Sequence, residues 1–115
     1  MRDSHVESQK RLELMAKAIA DIEKYVQGEN FESFCNKRML HDAVMMQFTI
    51  IGEAIVHIEY EKLNKYEYPW YKVRSFRNMI AHEYFNIKIP AVWKIVEKDL
   101  PKLKRIVYKM LEHEF

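Results

Sequence analysis

The sequence is poor in the residues that punctuate a chain. Of 115 residues only two are Gly and three Pro, too few for the tight turns of a β-sandwich or barrel, so long helices are expected. A single cysteine, Cys35, excludes an intrachain disulfide and a paired-cysteine metal knuckle, and it suits a reducing compartment. Long apolar runs are also missing: the most apolar stretch, 48–58, is interrupted by Glu53 and His57, which argues against a membrane span. The first ten residues show no signal-peptide core, and a cytoplasmic location is expected. Charge of one sign is not in excess either. A net charge of +2 and a pI near 8.6 permit an anionic partner without requiring one. What is present, 49% hydrophobic and 31% charged residues, fits a single folded domain over residues 1–115.

Apolar spacing marks out the helices. Ser4 and Glu7 read as a capping box, and Leu12, Met15, Ile19, Ile22 and Val26 recur at three- and four-residue steps. They predict a helix from about residue 4 to about 27, ended by Gly28. Asn30 to Phe34 suits a short helical turn. A second long helix is expected from about Lys37 to Leu63, with Val44, Phe48, Ile51, Ile55 and Ile58 in one stripe and Ala43, Ile50 and Ala54 widening it. A helix apolar around so much of its girth should be the central one. Gly52, its only breaker, costs up to about 1 kcal/mol relative to Ala, and the expected reason is another backbone passing close by. Residues 64–68 form the expected loop, and Pro69 suits the first turn of a third helix that ends near Tyr84 or Phe85. Pro90 begins a fourth, with Ala91, Val92, Ile95 and Val96 on its apolar side. Asp99 and Pro101 either cap and restart a helix or kink a continuous one. Leu103, Ile106, Val107, Met110 and Leu111 complete an amphipathic C-terminal segment. The expected fold class is all-α, an antiparallel bundle of four or five helices.

The third helix carries the chemistry. With Arg77 set at zero on a helical wheel, Val73, Phe76, Met79 and Ile80 fall in one docking arc centred near about 270°. Arg74, Asn78 and His82 fall on the other side, at roughly 60°, 100° and 140°. Histidine titrates near neutrality and is the commonest general acid–base group; arginine presents a fork for phosphate oxygens; an amide can orient either. Taken singly, His82 and Arg77 are more often ordinary surface residues. Together with Asn78 they are the parts needed to cleave RNA through its own 2′-hydroxyl, a reaction in which the substrate supplies the nucleophile and no metal is needed. Arg77 and His82 are separated by about 7.5 Å along the helix axis, so a second copy across a two-fold axis would close the site more easily than one chain alone.

Arg77-x-x-x-x-His82-x-Tyr84, with Asn78 directly after the arginine, resembles the motif of the HEPN superfamily and specifically of HepT-like toxins. Ile51-Gly52-Glu53-Ala54, Pro69-Trp70, Val92-Trp93-Lys94-Ile95-Val96 and Asp99-Leu100-Pro101-Lys102-Leu103 resemble further landmarks of that family, in the expected order, so the likeness covers most of the chain. The resemblance implies a homodimeric helical bundle, a metal-independent endoribonuclease and the toxin of a type VII toxin–antitoxin pair. It implies a nucleotidyltransferase antitoxin as partner, which transfers AMP to the motif tyrosine. By position, Arg77 and His82 would be catalytic, Asn78 supporting and Tyr84 the modification site. On the wheel Tyr84 falls beside Arg77, where a bulky anion would compete with RNA phosphate.

Several other features have a bland reading beside a functional one. Glu53 and His57 share a helical face at a spacing that can chelate, but two ligands do not make a metal site, and no cofactor is expected. Glu53 is read instead as a buried partner for Arg77 or Arg74. His5, His41 and His113 are read as solvated. Tyr66, Tyr68, Trp70 and Tyr71, among Lys65, Lys72 and Arg74, either stack unpaired bases or close an end of the bundle. The basic side of the C-terminal segment reads as a solvated face. The expected partners are RNA, the antitoxin and a second copy, with neither DNA nor membrane. The rival function is a non-catalytic bundle that partners a nucleotidyltransferase and binds RNA or nucleotide.

Overall fold

Leu12, Met15, Ile19 and Ile22 are fully buried along one side of α1 (Ser4–Val26), the first rod of the molecule. A computed structural model describes residues 3–115; Met1 and Arg2, the start of the stretch read for a signal peptide, lie outside the described residues. The predicted capping box does not form. Asp3 is the cap, its carboxylate accepting from the His5 amide, and Glu7 instead accepts from the Arg11 guanidinium four residues on. Asp outranks Thr and equals Ser as a cap, so the register moves by one residue at no cost. At the other end Gly28 takes φ +81°, a conformation that costs glycine nothing.

After the short α2 (Phe31–Cys35), α3 (Arg38–Ile55) runs through the centre and packs against α1, α2 and α5. Val44, Phe48, Ile51, Ala54 and Ile55 are all buried, as a central helix requires. Each large apolar side chain of this kind contributes about 1.5–3 kcal/mol relative to exposure. The helix expected to reach Leu63 stops earlier. Residues 56–59 turn, Ile58 drops into the core, and the Glu59 amide donates to the Ser8 hydroxyl at 2.9 Å. The chain resumes as α4 (Tyr60–Asn64). No breaker residue marks this turn; a partner on α1 does.

α5 (Trp70–Glu83) follows, preceded by Pro69 as its cap rather than its first residue, and a 3-10 turn (Tyr84–Asn86) closes it. α6 (Ile89–Lys94), a π-helical turn (Ile95–Asp99) and α7 (Leu100–Glu114) follow without a gap. Asp99 makes no side-chain cap, so the continuous, locally widened helix is the outcome at Pro101. A proline removes one donor and crowds the carbonyl four residues back, and one widened turn accommodates both.

Tyr66 donates to Glu114 at 2.9 Å and the Trp70 indole N–H to the Leu63 carbonyl at 3.0 Å, while the Tyr68 and Trp70 rings lie 5.0 Å apart. These three close an end of the bundle; Tyr71, 63% exposed, does not. Among the described residues there is no strand, and no helix is long and apolar enough to cross a membrane. The protein is all-α, with four long helical rods among the described residues.

Candidate active site

α5 docks on α3 through a narrow seam. Phe76 meets Phe48 edge-on with ring centroids 5.1 Å apart, and Ile80 is buried beyond it. Met79, expected within the docking arc, is 44% exposed. It sits roughly 90° from the middle of the Val73–Phe76–Ile80 seam, past its edge. Docking on this seam turns Arg74, Asn78 and His82 to solvent.

Arg77 reaches the surface by a different route. Gly52 is buried directly beneath it: a β-carbon there would overlap the Arg77 Cβ, stand 2.7 Å from its Cγ and 3.4 Å from the Val73 carbonyl oxygen. What passes close to Gly52 is therefore mainly the aliphatic stem of this arginine. The Arg77 Nε is buried with no hydrogen-bond partner among the described residues, so the Gly52 contact, rather than a bond at Nε, locates the side chain at this point. Beyond it the guanidinium spreads. One terminal nitrogen pairs with Glu53 and the other donates to Asn78 Oδ1 at 3.1 Å. Glu53 was expected to be a buried partner; its side chain is 48% exposed, because α3 turns position 53 outward beside the Gly52 contact. Its partner is Arg77 and not Arg74.

The structure thus joins Arg77, Asn78 and Glu53 into one group. His82, on the last turn of α5, and Arg74 are exposed, and no hydrogen bond among the described residues links either to that group. His82 lies about 7.5 Å farther along the axis and roughly 140° around it. Nor do Glu53 and His57 belong to any cluster of three or more His, Cys, Asp or Glu residues suited to a metal among the described residues.

Tyr84 departs most from its expected place. Helical geometry ends at Glu83, so the wheel no longer applies, and the Tyr84 hydroxyl donates to Asp42 on α3. Asp42 precedes Glu53 by about 16 Å along α3. The tyrosine oxygen is therefore anchored well away from the Arg77 anchor rather than beside it. Burial, followed by the hydrogen bond and charge of Asp42, pushes the Tyr84 phenol up to about 12, with Arg38 opposing. Asp42, Met46 and Glu53 fall within about 40° of one another on α3 and form an outward stripe, with Met46 58% exposed between the two anchors.

Around Tyr84 lies an open cavity of about 420 Å³, lined by Asn36, Arg38, Asp42 and Phe85 among others. His41, also in its wall, is buried rather than solvated; its Nε2 bonds to the Phe34 carbonyl and its ring packs on Phe34 at 5.0 Å. A larger cleft of about 580 Å³ lies between the start of α5 and α7, but none of Arg74, Arg77, Asn78 or His82 lines it.

A family model described as ribonuclease HepT-like matches residues 15–110, which take in every residue of this site. The chain belongs to the HepT-like ribonuclease family. Among curated proteins, it is 35% identical over 95 residues to the "Probable ribonuclease HepT" of Thermococcus cleftensis, covering 81% of this chain and 86% of that one. It is 34% identical over 88 residues to the "Putative RNase MJ1380" of Methanocaldococcus jannaschii, covering 76% and 81%. With the "Gamma-glutamylcyclotransferase and putative RNase MJ0434" of the same organism it shares 35% identity over 92 residues, 79% of this chain but 41% of that protein. The chain thus spans about two fifths of that relative's length. No solved structure matches it.

Within this HepT-like chain, Arg38 and Asp42 are residues that motif reading passes over. They stand four apart at the start of α3, and that spacing was the only local signal. Nothing local connects them to a tyrosine 42 positions downstream.

Proposed function

We propose that this chain is the RNA-cleaving toxin of a toxin–antitoxin pair, a metal-independent endoribonuclease acting through the 2′-hydroxyl of its substrate in the cytoplasm. The observation that carries the reading is Arg77. Its stem is seated on Gly52, and its guanidinium is presented at the surface by Glu53 of α3 and Asn78 of α5, the helix that carries His82 on its last turn. The separation of Arg77 and His82 along α5 supports a homodimer in which two such helices face each other across a cleft. In that cleft His82 takes the 2′-hydroxyl proton. Arg77 stabilises the charge that develops on the pentacoordinate phosphate, and the imidazole of the second copy, or water, protonates the departing 5′-oxygen. Asn78 and Glu53 hold the Arg77 fork, and Arg74 adds positive charge for the neighbouring phosphate. A nucleotidyltransferase antitoxin silences the enzyme by transferring AMP to Tyr84.

Incubating the purified, unmodified protein with total RNA in excess chelator tests the reading. The expected products carry 2′,3′-cyclic phosphate and 5′-hydroxyl ends. Cleavage that requires a divalent metal, or that leaves 5′-phosphates, would overturn the mechanism. One observation favours the rival binding module: the Arg77 guanidinium is already paired with Glu53 and must exchange that partner to take a phosphate. Binding of RNA without any cut ends in the same assay would establish that rival.

A further inference from the structure

The proposed modification of Tyr84 needs a group to take the phenolic proton, and the tertiary structure supplies one. We propose that Asp42 is the proton acceptor for modification of Tyr84 and that Arg38, one helical turn before it, receives the incoming phosphate. This inference rests on the reading of Tyr84 as the modified residue.

Three observations support it. The Tyr84 hydroxyl donates its proton directly to Asp42, so the oxygen lone pair faces away from the carboxylate. Arg38 lies close enough to act electrostatically on the same phenol, is exposed, and forms no ion pair among the described residues. Arg38, Asp42 and Tyr84 also line one open cavity of about 420 Å³, within the range that accommodates a small ligand. The negative charge of Asp42 opposes free phenolate in advance of reaction, which requires proton transfer to accompany attack. An aspartate accepting a hydroxyl proton during phosphoryl transfer is the same device that protein kinases use on their substrates.

The step balances as follows. The Tyr84 oxygen attacks the α-phosphorus of a nucleoside triphosphate, forming the oxygen–phosphorus bond. The bond from that phosphorus to the β-phosphate bridging oxygen breaks, and pyrophosphate leaves with the electron pair. The phenolic proton passes to the Asp42 carboxylate and from there to water. Arg38 pairs with the non-bridging oxygens of the transferred phosphoryl group, and stays with the adduct as its counter-charge.

Two reagents test the assignment, with mass spectrometry of the intact chain and of the Tyr84 peptide as readout. One is ATP with a minimal nucleotidyltransferase of the class proposed as the antitoxin. The other is diisopropyl fluorophosphate, a phosphorus electrophile that needs no enzyme and loses fluoride. The substitution Asp42→Asn, which keeps the surface shape, should slow labelling of Tyr84 at least tenfold with both. Arg38→Ala should slow labelling by ATP at least fivefold, with Arg38→Lys recovering part of the rate, and should affect the uncharged fluorophosphate little. Tyr84→Phe should abolish the label at this site. If ATP never labels the wild type while fluorophosphate labels Tyr84 in an Asp42-dependent way, the modification reading fails and the Asp42 assignment stands. Labelling of Tyr84 at equal, measurable rates in wild type and Asp42→Asn by either reagent, or no labelling of Tyr84 by both, overturns the assignment. Circular dichroism on each variant separates lost reactivity from lost fold.

Discussion

The aliphatic stem of Arg77 lies on Gly52, so close that any β-carbon at position 52 would overlap the Arg77 Cβ. A glycine that weakens α3 as a helix is thus the seat of the arginine on which the proposed chemistry depends.

Replacing Gly52 by Ala pits two effects against each other. Helix propensity favours Ala by about 1 kcal/mol, whereas overpacking a closed contact costs about 1–3 kcal/mol. The atom met is a β-carbon fixed to its backbone, which cannot swing aside as a side-chain tip would, so α3 and α5 must part. Gly52→Ala is expected to be up to about 2 kcal/mol less stable in urea unfolding and to cleave RNA roughly tenfold more slowly. A variant both more stable and fully active would contradict the seat.

Glu53 and Asn78 hold the Arg77 fork at the surface. Because the pair is exposed, Glu53→Gln should change stability by less than about 1 kcal/mol. Its effect belongs to function: cleavage should fall several-fold as the guanidinium loses its orientation. Arg77→Lys should cost more than Glu53→Gln, since an ammonium cannot span two partners as a planar fork does. Initial rates on one RNA, beside melting curves, give both comparisons.

His82 is exposed on the last turn of α5, so its role can be tested without disturbing the core. His82→Ala should keep its stability within about 0.5 kcal/mol, as surface changes generally do. Cleavage should drop by roughly 10²–10⁴, the range for removing a general base. An active His82→Ala enzyme would remove histidine from the mechanism.

The Tyr84 phenol sits at about 12 in the folded chain, pushed up by burial and then by Asp42. Its folded form therefore holds the proton to higher pH than the unfolded chain, whose tyrosines titrate near about 10. The stabilisation from this group is fully present below about pH 10 and is lost as pH rises toward 12. Wild type should lose more stability than Tyr84→Phe between pH 9 and pH 11.5 in urea titrations, the Phe variant cancelling the contribution of the lysines. Parallel losses in the two proteins would mean that burial and Asp42 together do not hold the phenol protonated in solution.

Met46 stands exposed on α3 between the anchors Asp42 and Glu53, and we extend the proposed dimer contact from α5 onto this neighbouring apolar spot. Sedimentation should find the wild type dimeric. Met46→Asp should shift it toward monomer and lower cleavage in proportion, with activity partly recovered at high protein concentration. A fully active Met46→Asp monomer would mean that one chain suffices.

Three- and four-residue apolar spacing determined the rods α1, α3, α5 and α7 and most of their buried stripes, because azimuth along one helix is a local property. The spacing of Arg77, Asn78, His82 and Tyr84 likewise disclosed the family. Packing decided the rest. The turn after Ile55 forms where Glu59 meets Ser8, and His41 is buried because the Phe34 carbonyl and ring receive it. Met79 is exposed because the seam is narrower than the apolar arc. Tyr84 turns to Asp42 because α5 ends one residue before it. A helical wheel gives the direction of each side chain from its own axis, but which directions are covered, and by what, depends on helices brought together from distant parts of the chain.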